Sequence, residues 1–133
     1  MQLKSLFIIT AVVTIIFGVL FVIIPAQMYS LYGIESGMIL NYMGELFGAS
    51  LIAFAVIAWQ CRNAGDSEAR RAIILGFFIA DTIGFIIALI GQLNNVVNAL
   101  GWLTVVLYFL IALGFAVFQF SKPAQPENPQ AET

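Results

Sequence analysis

Four long apolar stretches, separated by short polar connections, dominate the pattern of this 133-residue chain. A helix that crosses a bilayer needs about 20 largely apolar residues, because each residue rises about 1.5 Å through a hydrocarbon core of about 30 Å. Each stretch meets that length. We therefore predict an all-α, integral membrane four-helix bundle over residues 1–120, with helices at about residues 5–27, 41–61, 71–92 and 98–120.

The composition agrees with this prediction and leaves no length for a separate extramembrane domain. Only 9 % of the residues are charged and 62 % are hydrophobic, whereas a soluble domain carries about 25 % charged residues. The segment 121–133 is polar and rich in proline, a composition that does not bury a core. We predict that this segment is a disordered cytoplasmic tail.

A cleaved signal peptide is the alternative interpretation of the first stretch. The apolar region of a signal peptide runs about 7–15 residues and ends at small residues. The apolar run over residues 6–24 is longer than that, which favours a spanning helix.

The few cations predict the orientation of the chain, since short loops rich in Lys and Arg stay on the cytoplasmic side. The connections 28–40 and 93–97 contain neither residue type. The cations all fall on the other side of the predicted topology: Lys4, Arg62, Arg70, Arg71 and Lys122. We therefore expect a multi-pass protein of a cytoplasmic or inner membrane of the prokaryotic type, with both termini cytoplasmic.

Asp81 is the strongest candidate for a functional residue. It lies near the middle of the third stretch, at a depth where a charged side chain costs about 2.5–3.5 kcal/mol. Thr14, Ser50 and Tyr108 fall at a comparable depth when each residue rises about 1.5 Å, so they are candidate hydrogen-bond partners. Asp81 is either a proton- or ion-titrating group of a transporter or channel, or part of an interhelical hydrogen bond that stabilises packing.

A second carboxyl, that of Glu45, lies close to the outer end of the second stretch, where it can reach water. It has two interpretations. Glu45 is either the outer gate of a cation path that leads to Asp81, or an exposed carboxylate at the membrane interface.

Small residues recur at helical spacing in the second and third stretches. Such small-xxx-small spacing lets two backbones approach closely in lipid, where tight packing replaces the hydrophobic effect as the driving force. It predicts packing between these two helices, or packing of one of them against a second subunit. The candidate helix-packing residues are Gly44, Gly48, Gly76, Ala80, Gly84 and Ala88.

The residue types that are missing limit the chemistry. The chain has no His and a single cysteine, Cys61, which excludes histidine-ligated haem and argues against a zinc enzyme or a dithiol enzyme. We therefore expect no metal, no cofactor and no enzymatic activity, and we expect no nucleic-acid partner.

Several short runs resemble small four-span prokaryotic membrane proteins of unknown function. They are Pro25 and the segments 31–33 (LYG), 46–49 (LFGA) and 59–63 (WQCRN). The resemblance implies a four-helix membrane fold and no established activity, so it assigns no catalytic residue.

Three functional hypotheses follow. The leading one is a non-enzymatic accessory or structural subunit that acts through helix packing. The alternative is a small homo-oligomeric transporter or channel, coupled to protons or ions, that uses Asp81 and Glu45. A third is a site for a lipid or an apolar ligand among the phenylalanine-rich helices. The expected partners are the lipid bilayer and either further copies of this chain or another membrane protein subunit.

Overall fold

Five α-helices form the part of the chain that the computed structural model describes, residues 1–121. In chain order they are α1 (Leu3–Ile23), α2 (Pro25–Leu31), α3 (Met38–Cys61), α4 (Glu68–Leu93) and α5 (Gly101–Phe120). Of these described helices, α1, α3, α4 and α5 are long and apolar enough to cross a membrane. The predicted all-α class is therefore confirmed, and four of the helices have the length and apolar composition predicted for spans. The predicted tail after Ser121, with Lys122, lies outside the described residues.

The first helix ends earlier than the predicted boundary at residue 27. Ile24 leaves the helical conformation, with φ −133° and ψ 54°, and Pro25 is the first residue of the separate helix α2. Proline is favoured at the first helical position, because it lacks an N–H and its ring clashes with a preceding helical turn. The apolar pattern runs through this break, so the pattern alone extends the first helix too far.

Charged side chains organise the connection between α3 and α4. Ser67 Oγ accepts a hydrogen bond from the backbone N–H of Arg70 at 3.2 Å and caps α4. Arg71 donates two hydrogen bonds to the Asp66 carboxylate, at 3.0 and 2.7 Å. These hydrogen bonds hold the pKa of Asp66 below its usual value. The Arg70 guanidinium donates to the Ala64 carbonyl at 2.8 Å, so both arginines are tied to this loop.

The four long helices associate mainly as two pairs, α1 with α3 and α4 with α5. The backbones of the first pair meet at Gly18 and Gly48, where a Cβ added to Gly48 would lie 2.7 Å from the Gly18 carbonyl oxygen. In the second pair, the ring of Tyr108 lies directly against Gly84. Gly48 of α3 therefore packs on α1, Gly44 of α3 packs on α2, and Gly84 of α4 packs on α5. This differs from the expected packing of the second stretch on the third.

Phenylalanine rings join the two pairs at the end where α1 begins and α5 ends. Phe77 of α4 stacks on Phe115 of α5, with 5.1 Å between ring centroids, and Phe7 of α1 lies edge-on to both rings. Phe7 and Phe115 are 0 % exposed. These three residues, called here the aromatic cluster, lie at the centre of the hydrophobic core.

Candidate functional site between the helix pairs

A cavity of about 300 Å³ lies between the two helix pairs. It extends from Phe77 in the aromatic cluster to Tyr32, which follows α2, and all five helices contribute to its walls. Each pair is packed tightly within itself, whereas the pairs meet mainly through the large rings at one end. The cavity is the space that this arrangement leaves between them.

The walls of this central cavity are mostly apolar, with a minority of polar groups. The apolar lining consists of Val13, Phe17, Phe21, Ile34, Phe47, Leu51, Phe54, Phe77, Ala80, Leu107 and Ile111. The polar lining consists of Thr10, Thr14, Tyr29, Tyr32, Asp81, Thr104 and Tyr108. Among these described residues, Asp81 is the one carboxyl, and neither Lys nor Arg is present.

The Asp81 side chain has a hydrogen-bond acceptor that accepts no hydrogen bond from the described part of the chain. Its Oδ2 atom is buried and has no hydrogen-bond partner among the described residues. Three hydroxyls of the same cavity bond to other groups: Thr14 Oγ1 donates to the Thr10 carbonyl at 2.7 Å, and Tyr32 shares a hydrogen bond of 2.8 Å with Thr104. A buried polar atom left unpaired costs about 1–3 kcal/mol, so a donor that enters the cavity would gain a strong contact here.

Loop contacts close the end of the bundle opposite the aromatic cluster. Asn98 Nδ2 donates to the Leu31 carbonyl at 2.8 Å, and the Asn98 backbone N–H donates to the Tyr32 carbonyl at 2.9 Å. Asn98 Oδ1 also accepts from the N–H of Leu100 at 3.0 Å. These bonds shape the turn before α5, which begins at Gly101 rather than at the predicted residue 98.

The predicted partners of Asp81 fall on different faces. Thr14 and Tyr108 line the same cavity as Asp81. Ser50 is exposed and donates to the Leu46 carbonyl of its own helix at 3.1 Å. Glu45 is also exposed and lies outside the cavity lining. The residue number gives the depth of a residue along its helix. The face on which the residue lies also depends on how the helix is rotated within the bundle, and the residue number does not give that rotation.

The predicted helix-packing residues have different environments in the structure. Three lie at close contacts within the bundle: Gly44, Gly48 and Gly84. Ala80 lines the cavity and Ala88 is half-buried. Gly76 lies on an open side of α4, where no described atom is within 4 Å of an added Cβ.

Sequence reasoning missed Thr10 and Thr104 as cavity residues. Thr10 is only 1 % exposed, and its Oγ1 has no partner among the described residues. Thr10 and Thr14 are four residues apart on α1, and Thr104 and Tyr108 are four apart on α5. Because residues four apart share a helix face, these two polar pairs were the available signal for the inward faces of α1 and α5.

Comparisons with known proteins assign no function to this chain, so a functional assignment depends on its fold and its cavity. No protein-family model matches the chain, and neither a curated protein nor a solved structure matches it. The described residues define the class: an all-helical protein whose four long apolar helices indicate a membrane location, with a mostly apolar cavity at its centre.

Proposed function

We propose that this chain is a non-enzymatic membrane protein whose central cavity binds a small, mostly apolar ligand, with Asp81 as the polar contact. The observation that carries the proposal is the cavity of about 300 Å³, with aromatic and aliphatic walls and one buried carboxylate oxygen without a described partner. Small-molecule sites are typically concavities of about 300–1,000 Å³ with apolar walls and few polar groups. The dimensions and the chemistry of this cavity both fit that description.

The arrangement favours ligand binding over a purely packing role for Asp81. A packing role requires a hydrogen bond between helices, worth about 0.6–2 kcal/mol in a membrane. Oδ2 of Asp81 makes none with the described residues, and Thr14 donates to its own helix instead. An unpaired polar atom at the wall of an apolar cavity can instead form a hydrogen bond with a bound ligand.

The cations support an orientation with both termini on the cytoplasmic side of a cytoplasmic or inner membrane. Lys4 lies at the start of α1, Arg62 directly follows α3, and Arg70 and Arg71 lie in the first turn of α4. These described cations share the end of the bundle that holds the aromatic cluster, and such loops stay cytoplasmic. In this orientation, the end of the cavity at Tyr32 faces the outside.

Filling the cavity should weaken ligand binding and leave the fold intact. Val13→Trp adds an indole to a side chain that lines the cavity, whereas Val12→Trp places the same group on the exposed face of α1. We expect Val13→Trp to weaken binding of fluorobenzene in nanodiscs by about tenfold or more, or about 1.4 kcal/mol. Binding is measured by nuclear Overhauser effects between the probe and the methyl groups of Leu51 and Ile111.

The matched control is Val12→Trp, which should bind the probe as the wild type does. Both variants are checked for wild-type helical content by circular dichroism. Equal binding by the wild type and a folded Val13→Trp would contradict the proposal. Absence of contacts between the probe and the cavity methyl groups in the wild type would contradict it as well.

The exposed side of α4 favours a second candidate function, that of an accessory or self-associating subunit. In the most apolar 18-residue segment of α4, only 11 % of the residues are buried within the described chain. The corresponding share is 28–33 % for the other three long helices. Gly76 lies on this side without a described neighbour within 4 Å of an added Cβ. A small residue on an open helix face lets another membrane helix approach closely.

Disulfide crosslinking tests this second candidate. In a Cys61→Ala background, Gly76→Cys should form a crosslinked product in native membranes under mild oxidation, either a dimer of this chain or an adduct with one other subunit. Leu113→Cys, on the exposed side of α5 at a similar depth, should remain uncrosslinked. Equal crosslinking at both positions, or none at Gly76→Cys, would rule out a specific interface on α4.

A further inference from the structure

We propose that the ligand of the central cavity is a lipophilic cation, such as an aryl-substituted ammonium ion, which pairs with Asp81 and contacts the surrounding aromatic rings. The inference rests on the proposed function and specifies the class of ligand. It follows from the balance of charge in the cavity, from the acceptor on Asp81 that has no partner among the described residues, and from the rings that form the walls.

The described lining of the cavity contains an acidic group and no basic group. Its titratable groups are Asp81 on α4, Tyr29 on α2, Tyr32 after α2 and Tyr108 on α5, whereas the described lining from α1 and α3 is threonine and apolar residues. Burial raises the pKa of Tyr29, which therefore stays a neutral hydroxyl at physiological pH. The lining residues include no Lys or Arg in the described chain. Within the described lining no side chain balances the Asp81 carboxylate, which leaves that role to a proton or a cationic ligand.

The hydrogen bonds of the cavity leave Asp81 available for that cation. Tyr32 and Thr104 bond to each other at 2.8 Å, and Thr14 bonds to the backbone of α1. Oδ2 of Asp81 is buried without a partner among the described residues. An anionic ligand would face this carboxylate without a compensating cation from the described lining, so the electrostatics select against anions. A cation gains a charge-assisted contact in a medium that screens it weakly.

Aromatic rings provide the second recognition element. Phe21 lies edge-on to Tyr29 and to Phe47, with centroid distances of 5.6 and 5.3 Å, and all three rings line the cavity. Ring faces attract ammonium groups through their quadrupole, and the attraction grows when the cation is desolvated. Together with one carboxylate, such rings form a site suited to an organic cation rather than to a small hydrated metal ion.

A proton and the cation compete for Asp81. When the carboxyl is protonated it is neutral, and the ion pair cannot form. Binding of the cation therefore releases the carboxyl proton to solvent, and the Asp81 carboxylate pairs with the ligand. Occupancy of the cavity is thus linked to pH, with weaker cation binding as the pH falls.

Two isosteric probes test the inference with the full chain in nanodiscs. Benzyltrimethylammonium carries the charge, and neopentylbenzene has the same shape with carbon in place of nitrogen. Affinities are measured by nuclear Overhauser effects to the methyl groups of Leu51 and Ile111, corrected for partition into empty nanodiscs. We expect the wild type to prefer the cation by about tenfold or more, and Asp81→Asn to lose that preference.

Glu45→Gln is the matched control, because it makes the same chemical change at an exposed carboxyl outside the cavity. It should bind both probes as the wild type does. A second measurement needs no variant: the affinity of the wild type for the cation should fall as the pH is lowered, whereas its affinity for neopentylbenzene should not change.

Three other outcomes would each contradict a specific claim. Equal binding of both probes at every pH, unaffected by Asp81→Asn, would overturn the cation inference and leave a neutral apolar ligand as the proposed function. Failure of both probes and of fluorobenzene to contact the cavity methyl groups would overturn the proposed function as well. Loss of the preference in Glu45→Gln to the same extent would show that Asp81 is not its source.

Discussion

Replacing Phe115 with Ala should lower the free energy of unfolding by about 3 kcal/mol, the largest effect that we expect from a single substitution in this chain. Phe115 is 0 % exposed, stacks on Phe77 at 5.1 Å and meets the ring of Phe7 at 5.5 Å. Its removal leaves a void where the two helix pairs are joined. The expected value is at the lower end for Phe-to-Ala changes, because lipid tails are as apolar as the protein interior and only the packing is lost.

The control for Phe115→Ala is Phe120→Ala, in the last residue of the same helix. Phe120 is 71 % exposed, so its truncation should change the free energy of unfolding by less than about 0.5 kcal/mol. Both variants are compared by reversible unfolding in mixed micelles. A loss for Phe115→Ala no greater than that for Phe120→Ala would contradict the assignment of the aromatic cluster as the contact that joins the helix pairs.

Gly48→Ala should separate α1 from α3 and cost about 1–3 kcal/mol of stability, the range for overpacking a close contact. The added methyl group would lie 2.7 Å from the Gly18 carbonyl oxygen and 2.9 Å from the Val22 backbone nitrogen. Both neighbours are backbone atoms, so no side-chain rotation can relieve the overlap and the two helices must move apart. Reversible unfolding in mixed micelles measures the loss.

Gly76→Ala is the matched control, because it makes the same change on α4 where no described atom lies within 4 Å of the added Cβ. Alanine has the higher helix propensity, so Gly76→Ala should be as stable as the wild type or slightly more stable. Equal stability of Gly48→Ala and Gly76→Ala would show that α1 and α3 do not meet through their backbones at Gly48.

The sequence by itself determined which segments become the long apolar helices. Length and apolar composition are local properties, and the bilayer thickness converts them directly into spans. The cap of α4 at Ser67, with Glu68 in its first turn, is likewise a local feature, because capping depends on neighbours in the chain. The first helix ends at Ile23 rather than at the predicted residue 27, and the helix that begins at Pro25 was not predicted.

Only the tertiary structure decided which helices pair and which side chains face inward. A spanning helix is apolar on most sides, since lipid and protein interior accept the same residues, so the sequence carries little signal for its rotation. On α1 and α5 that signal is limited to the pairs Thr10 with Thr14 and Thr104 with Tyr108. Ser50 and Leu51 are adjacent in sequence and at nearly the same depth, yet only Leu51 lines the cavity. Asp81 was recognisable from its type and depth, but its place in a cavity follows from two long-range contacts. Gly18 meets Gly48 in one pair, Tyr108 meets Gly84 in the other, and the space between the pairs depends on both.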